Sequence, residues 1–243
     1  MSVTINFNWS LLDRLTLFHI LYSIKDRVVD TSLTVDQLHQ RLTYQIKKFI
    51  PIKFKKIICN GVRPGQIYVG GSYYSQYDEE QKKCIEINFN YHKSNEAIKI
   101  TDRTFSRICI TFADTILHEV IHMRQHRRRE WKSLPEFPST ARRTEQREAQ
   151  EYLGCLDEID AYSFNIACEL SDEYNGNNTK ITKHLNRCHK NSKNKRSSYF
   201  MYLKTFEHDH NHIIIKKLKK KIVGYIPQAA IGKPYRNSDW IGY

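Results

Sequence analysis

With 243 residues, 40% of them hydrophobic and 27% charged, the chain has the composition of a globular protein able to bury a full core. That balance, and the lack of any apolar run of about eighteen residues, exclude a disordered chain and a helical membrane span, so no membrane partner is expected. A formal net charge of +13 favours an anionic partner such as nucleic acid and says nothing about fold.

In chain order, Leu11, Leu12, Leu15, Phe18, Ile20 and Leu21 recur at helical spacing and predict a helix over residues 9–29. Asp13 and Arg14 interrupt its apolar character and no small-residue cleavage site follows. No signal peptide is therefore expected, and the expected compartment is the cytoplasm, the host's if the chain is viral. Thr34 reads as the N-cap of a second helix, Val35 to Phe49, which Pro51 stops. Three strands follow. Lys56–Cys59 ends at the turn dipeptide Asn60-Gly61, and Gln66–Val69 ends at Gly70-Gly71. In Cys84–Tyr91, Ile85, Ile87, Phe89 and Tyr91 alternate with Cys84, Glu86, Asn88 and Asn90, which predicts one buried and one exposed face.

From Thr104 the pattern turns helical, with Phe105, Ile108, Cys109, Phe112, Ile116, Val120 and Met123 on one stripe. Trp131–Pro138 reads as a loop and a candidate lid. A long helix is expected from Thr144 to Asp172, ended by the cluster from Tyr174 to Asn178, then three shorter basic helices and a punctuated tail from Gly224. The cysteines, Cys59, Cys84, Cys109, Cys155, Cys168 and Cys188, contain no C-x-x-C pair and read as free thiols. The expected fold is α+β: mostly helical, with a small sheet of about three strands before the Thr104 helix and extra C-terminal helices. The expected division is a domain over 1–175 with a basic helical extension over 176–243 packed on it.

The chemistry is concentrated in His118-Glu119-Val120-Ile121-His122. Four residues apart on a helix, His118 and His122 share a face, so their imidazoles can reach one ion. A catalytic zinc needs three protein ligands and an open position for water. Glu119 is placed to take that water's proton without ligating the metal. The third ligand is expected from a second helix, with Glu158 the candidate and Glu151, two turns earlier, its competitor. Gly154, Cys155 and Ala161 are small enough to let the two helices approach. Asp114, one turn before His118, and Asp157 and Asp160, which flank Glu158, are candidates to orient the ligands, Asp114 and Asp160 before Asp157. Tyr162 is a candidate donor to a developing oxyanion.

His118-Glu-x-x-His122 followed by Glu158-x-x-Ala161 resembles the gluzincin type of zinc metallopeptidase, and the run from Leu156 to Tyr162 is similar to metallopeptidases encoded by bacteriophages. The resemblance covers about residues 104–170. It implies a zincin-like domain, zinc held by His118, His122 and Glu158, Glu119 as general base, and hydrolysis of a protein or peptide substrate. It also implies that the strand before the motif helix, Cys84–Tyr91, lines the substrate cleft and accepts an extended peptide. Two features depart from related patterns: His126 stands four residues after His122, where metzincins have a third histidine at six, and Tyr162 stands where some gluzincins carry an acid.

His126 reads as a solvated residue at a helix end. His184, Cys188, His189, His208, His210 and His212 fit no metal-ligand spacing. The basic stretches Lys47–Lys56, Arg124–Arg143 and Lys180–Lys221 support a competing reading, a nucleic-acid-binding protein with a structural or inactive zinc site. A protease acting on DNA-bound proteins would combine both.

Overall fold

The computed structural model describes residues 12–50, 52–58, 67–74, 85–91, 97–130, 132, 144–187 and 197–229. The expected α+β class is observed: the described chain is mostly helical, with a small mixed sheet and extra helices. In order, the elements are α1 (Arg14–Tyr22), α2 (Lys25–Val28), β1 (Thr31–Leu33), α3 (Val35–Lys47), β2 (Lys53–Ile58), β3 (Ile67–Tyr73), β4 (Ile85–Tyr91), β5 (Ile98–Ile100), α4 (Asp102–Arg128), α5 (Glu145–Gly154), α6 (Leu156–Tyr174), α7 (Asn178–Leu185), α8 (Ser198–Thr205) and α9 (Ile213–Ala229). They fall into two compact units, Met1–Arg124 and Gln125–Tyr243, and the boundary lies inside α4.

In the first unit, Thr34 caps α3 as expected. Its side chain accepts from the Gln37 amide while the Gln37 side chain accepts from the Thr34 amide, a reciprocal capping box. The first expected helix is instead two, because it ends at Ser23, whose hydroxyl donates to the Ile20 carbonyl. Two three-residue strands, β1 and β5, pair antiparallel. The larger sheet has the order β2-β4-β3, with β2 parallel and β3 antiparallel to β4. β4 is therefore central, with both edges paired. The expectation that Cys84–Tyr91 accepts an added peptide strand is corrected by this order, which leaves β3 as an edge. β3 also continues through Gly70 and Gly71 to Tyr73, where a turn was expected.

Ile85, Ile87 and Phe89 of β4 are buried, as their alternation predicts. The opposite face is not simply solvated, since Glu86 is also buried, with Lys53 and Lys55 ammonium groups at 3.3 and 2.9 Å. Phe112 of α4 stacks on Phe54 and tilts against Phe89, with ring centroids 5.9 and 4.8 Å apart. Each such aromatic pair contributes about 1 kcal/mol beyond its buried area. α4 begins where the Thr101 hydroxyl accepts from the Thr104 amide. Phe105, Cys109, Phe112, Ala113, Ile116 and Val120 are fully buried along it. A helix of 27 residues spans about 40 Å.

In the second unit, the expected single helix from Thr144 to Asp172 is broken at Cys155, whose φ of −61° and ψ of 138° are extended. Cys155 thus ends α5 and starts α6. α6 stops at Asn175 in the left-handed region (φ 53°), within the cluster expected to end it. Ile215, Leu218, Ile222 and Ile226 form the buried stripe of α9, which packs along α6. That burial carries α9 past Gly224 and through Pro227, where a tail was expected. Cys109, Cys155 and Cys168 are free thiols, and burial pushes the Cys109 thiol well up. Cys59, Cys84, Cys188, His189, Asn60-Gly61 and the candidate lid Trp131–Pro138, apart from Lys132, lie outside the described residues. No helix among the described residues is long and apolar enough to cross a membrane.

One ion pair ties the first helix to the motif helix. Arg14, 1% exposed, donates to both Asp114 carboxylate oxygens at 2.5 and 2.8 Å. Removing one partner of such a pair leaves the other desolvated, a cost of several kcal/mol. Arg14→Ala is expected to lower unfolding stability by about 3 kcal/mol. The joint change of Arg14→Met with Asp114→Leu should recover most of that loss, measured by urea denaturation.

Candidate metal centre

His118, His122 and Gln125 of α4 and Arg129, the residue just past its end, follow at intervals of four, three and four residues, one stripe of a helix. The lower half of the stripe grips the start of α6. Gln125 donates to the Asp157 carbonyl at 3.0 Å and to the Asp160 carboxylate at 3.2 Å. Arg129 forms a fork with the Asp157 carboxylate, both bonds 2.7 Å. Asp160 also accepts from Lys221 and Tyr225 of α9, at 2.6 and 3.0 Å. The residues on both sides of Glu158 are thus held by charge-assisted bonds, the stronger class of hydrogen bond.

The upper half of the stripe carries the histidines. The Nε2 atoms of His118 and His122 are 3.2 Å apart. His118, His122 and Glu158 each offer a ligand atom within 4.8 Å of the other two, a group able to hold a metal ion. His118 is 9% exposed, and burial, reinforced by His122, lowers its pKa to about 3. A neutral imidazole is the form that donates a lone pair to a metal. Two imidazole nitrogens and one carboxylate oxygen suit a borderline transition ion, whereas magnesium and calcium call for mostly oxygen shells.

Glu151, the competing candidate, lies across the Cys155 break on α5, where Arg147 donates to it at 3.3 Å. The structure brings Glu158 to the histidines instead. His126, expected to be solvated, is buried (6% exposed). His184 is hydrogen-bonded to the Tyr174 hydroxyl at 2.7 Å, and Lys219 reaches His210 at 3.0 Å. Among the described residues, His118, His122 and Glu158 are the group found with metal-holding spacing.

Glu119, 6% exposed, faces the sheet. A Cβ placed on Gly71 of β3 would stand 2.6 Å from Glu119 Oε1 and 2.8 Å from its Cγ. The strand therefore passes flush against the carboxylate only because residue 71 has no side chain. Asp114 and Asp160, expected to orient ligands, are anchored respectively by Arg14 and by Gln125, Lys221 and Tyr225.

Around Glu158 lies a phenol cluster that sequence reasoning recognised only at Tyr162. Tyr152 of α5 is hydrogen-bonded to Glu158 and to Tyr162, and the Tyr162 ring stands edge-on to that of buried Tyr202, with centroids 5.6 Å apart. A carboxylate only accepts, so the Tyr152 hydroxyl donates to Glu158. The Tyr152 side chain is half-exposed, but desolvation at its hydroxyl end, with the nearby Glu158 charge, pushes that hydroxyl upward. Tyr152 was hidden because the break at Cys155, which folds α5 back beside Glu158, has no Pro or Asn to announce it. Gln125 and Arg129 carried a readable signal, their heptad spacing from His118 and His122 respectively.

No protein-family model matches the chain, and comparison with curated proteins and with solved structures finds no match.

Removal of a ligand should raise the metal dissociation constant by at least about 100-fold, and loss of a residue orienting a ligand by about 10-fold. Chelator-competition titrations should accordingly rank His118→Ala, His122→Ala and Glu158→Ala as severe and Tyr152→Phe as intermediate. Glu151→Ala should bind as the unaltered chain does.

Proposed function

We propose that the chain is a zinc-dependent peptidase in which Glu119 is the general base. The observation that carries this reading is the division of labour within five residues. His118 and His122 turn to Glu158, while Glu119, between them, is held against β3. Zinc bound to nitrogen at about 2.0–2.1 Å in a tetrahedral shell sets its ligand nitrogens about 3.3 Å apart, and the two imidazole nitrogens stand at 3.2 Å. Held there, zinc would supply Lewis-acid chemistry, lowering the pKa of water toward 7 and polarising a carbonyl.

The chain's own groups supply the rest. Glu119 accepts a proton as water attacks the scissile carbonyl and returns it to the departing amine. β3, an edge among the described strands, offers backbone N–H and C=O groups to an extended substrate. Gly71 sets the distance from that strand to the base. Tyr152, hydrogen-bonded to the Glu158 carboxylate, helps to hold it in place. A peptide lying along β3 thus meets the base at Gly71, where no Cβ stands between the strand and the carboxylate.

Glu119→Gln keeps the shape and removes the proton acceptor. It should leave metal affinity unchanged and lower kcat on an unfolded protein substrate by about 1,000-fold, within the range set by general-base catalysis. Gly71→Ala should displace the Glu119 carboxylate by a fraction of an ångström to an ångström and cost about 100-fold in kcat with metal retained. Full hydrolysis by Glu119→Gln would contradict the assignment.

A further inference from the structure

Charge is sorted by helix in the second unit. α6 carries Asp157, Glu158, Asp160, Glu169, Asp172 and Glu173 and no lysine or arginine. α7, α8 and α9 carry eight lysines and no acidic residue. A bias toward lysine codons would raise the count without sorting it in this way.

Two of the five lysines of α9 have structural partners. Lys221 is paired with Asp160, and Lys219 reaches Asn186 at 3.2 Å and His210 at 3.0 Å. Lys216, Lys217 and Lys220 are exposed and fall within about 100° of arc on the helix. Among the described residues no carboxylate pairs with them. Val223, 38% exposed, and Gly224, beyond whose α-carbon there is open space, continue that face without obstructing it. α7 packs beside α9 and adds exposed Lys180 and Lys183. The acids of the loop before α9 are engaged locally: Asp209 accepts from the Asn211 amide and Glu207 from Gln146.

We propose that the α7–α9 face binds the phosphate backbone of double-stranded nucleic acid without reading its sequence. Compact ammonium groups on one helix face are suited to phosphate as point charges. Neither helix exposes an aromatic platform on which unpaired bases would stack: Tyr225 is turned to Asp160 and Phe164. The apolar stripe of α9 is spent on α6, which leaves no continuous greasy face to enter a bilayer. This site is independent of the proposed hydrolysis and would stand without it.

The test is fluorescence anisotropy of the full chain with a duplex of about 20 base pairs over a salt series. Binding is expected at about 50 mM salt, with log K falling against log salt with a slope of about −3 or steeper. The triple variant Lys216→Glu, Lys217→Glu, Lys220→Glu should bind at least about tenfold more weakly and lose most of that slope. The control Lys47→Glu, Lys48→Glu, which lowers charge on α3 and its C-cap, should bind nearly as the unaltered chain. No duplex binding at low salt, undiminished binding by the triple variant, preference for a single strand, or binding only to vesicles of anionic phospholipid would each overturn the proposal.

Discussion

Arg129 gripping Asp157, with Gln125 bonded across to the Asp157 carbonyl and the Asp160 side chain, fixes the register between the last turns of α4 and the first turn of α6. A helix is stiff over these distances, so a register fixed at Gln125 and Arg129 constrains what lies one and two turns earlier. Those positions are His122 and His118. The same bonds hold Asp157 and Asp160 on either side of Glu158, so its carboxylate enters the group from a backbone that is already held. Fork geometry matters here. Two parallel bonds to one carboxylate restrain orientation as well as distance, which a single lysine contact would not.

From that constraint the functional separation on α4 follows. One face carries the candidate ligands and their clamp. The neighbouring face carries Glu119 toward β3, where Gly71 admits the strand to van der Waals distance of the carboxylate. Farther up the helix, Phe112 is set into the aromatic layer with Phe54 and Phe89, and Asp114 is pinned by Arg14. α4 is thus fixed by packing and an ion pair at one end and by hydrogen bonds at the other. Candidate ligands on such an element are preorganised, which would lower the cost of assembling a metal shell.

Local signals made much of this legible. Thr34 with Gln37 announces a helix start through neighbouring atoms alone, and α3 begins there. The spacing of His118 and His122 needs only a helix to become a pair of ligands. Glu158 was readable because small residues beside it suggested close helix packing. What escaped was set by distant contacts. Gly70-Gly71 resembles a turn until Glu119 is placed over the strand. Pro227 argues against a helix until the stripe Ile215–Leu218–Ile222–Ile226 is buried on α6. The three-residue strands β1 and β5 are too short to show a period. The break at Cys155 is a tertiary choice that moves Glu151 away from the role its spacing suggested and brings Tyr152 to Glu158 instead.

The central claim is a shell of two imidazoles and one carboxylate, and metal-edge X-ray absorption of the purified chain tests it most directly. The account predicts about four nitrogen and oxygen neighbours at about 2.0–2.1 Å, with the multiple-scattering signature of two histidines. Sulfur neighbours at about 2.3 Å, or an oxygen-only shell without imidazole scattering, would contradict it.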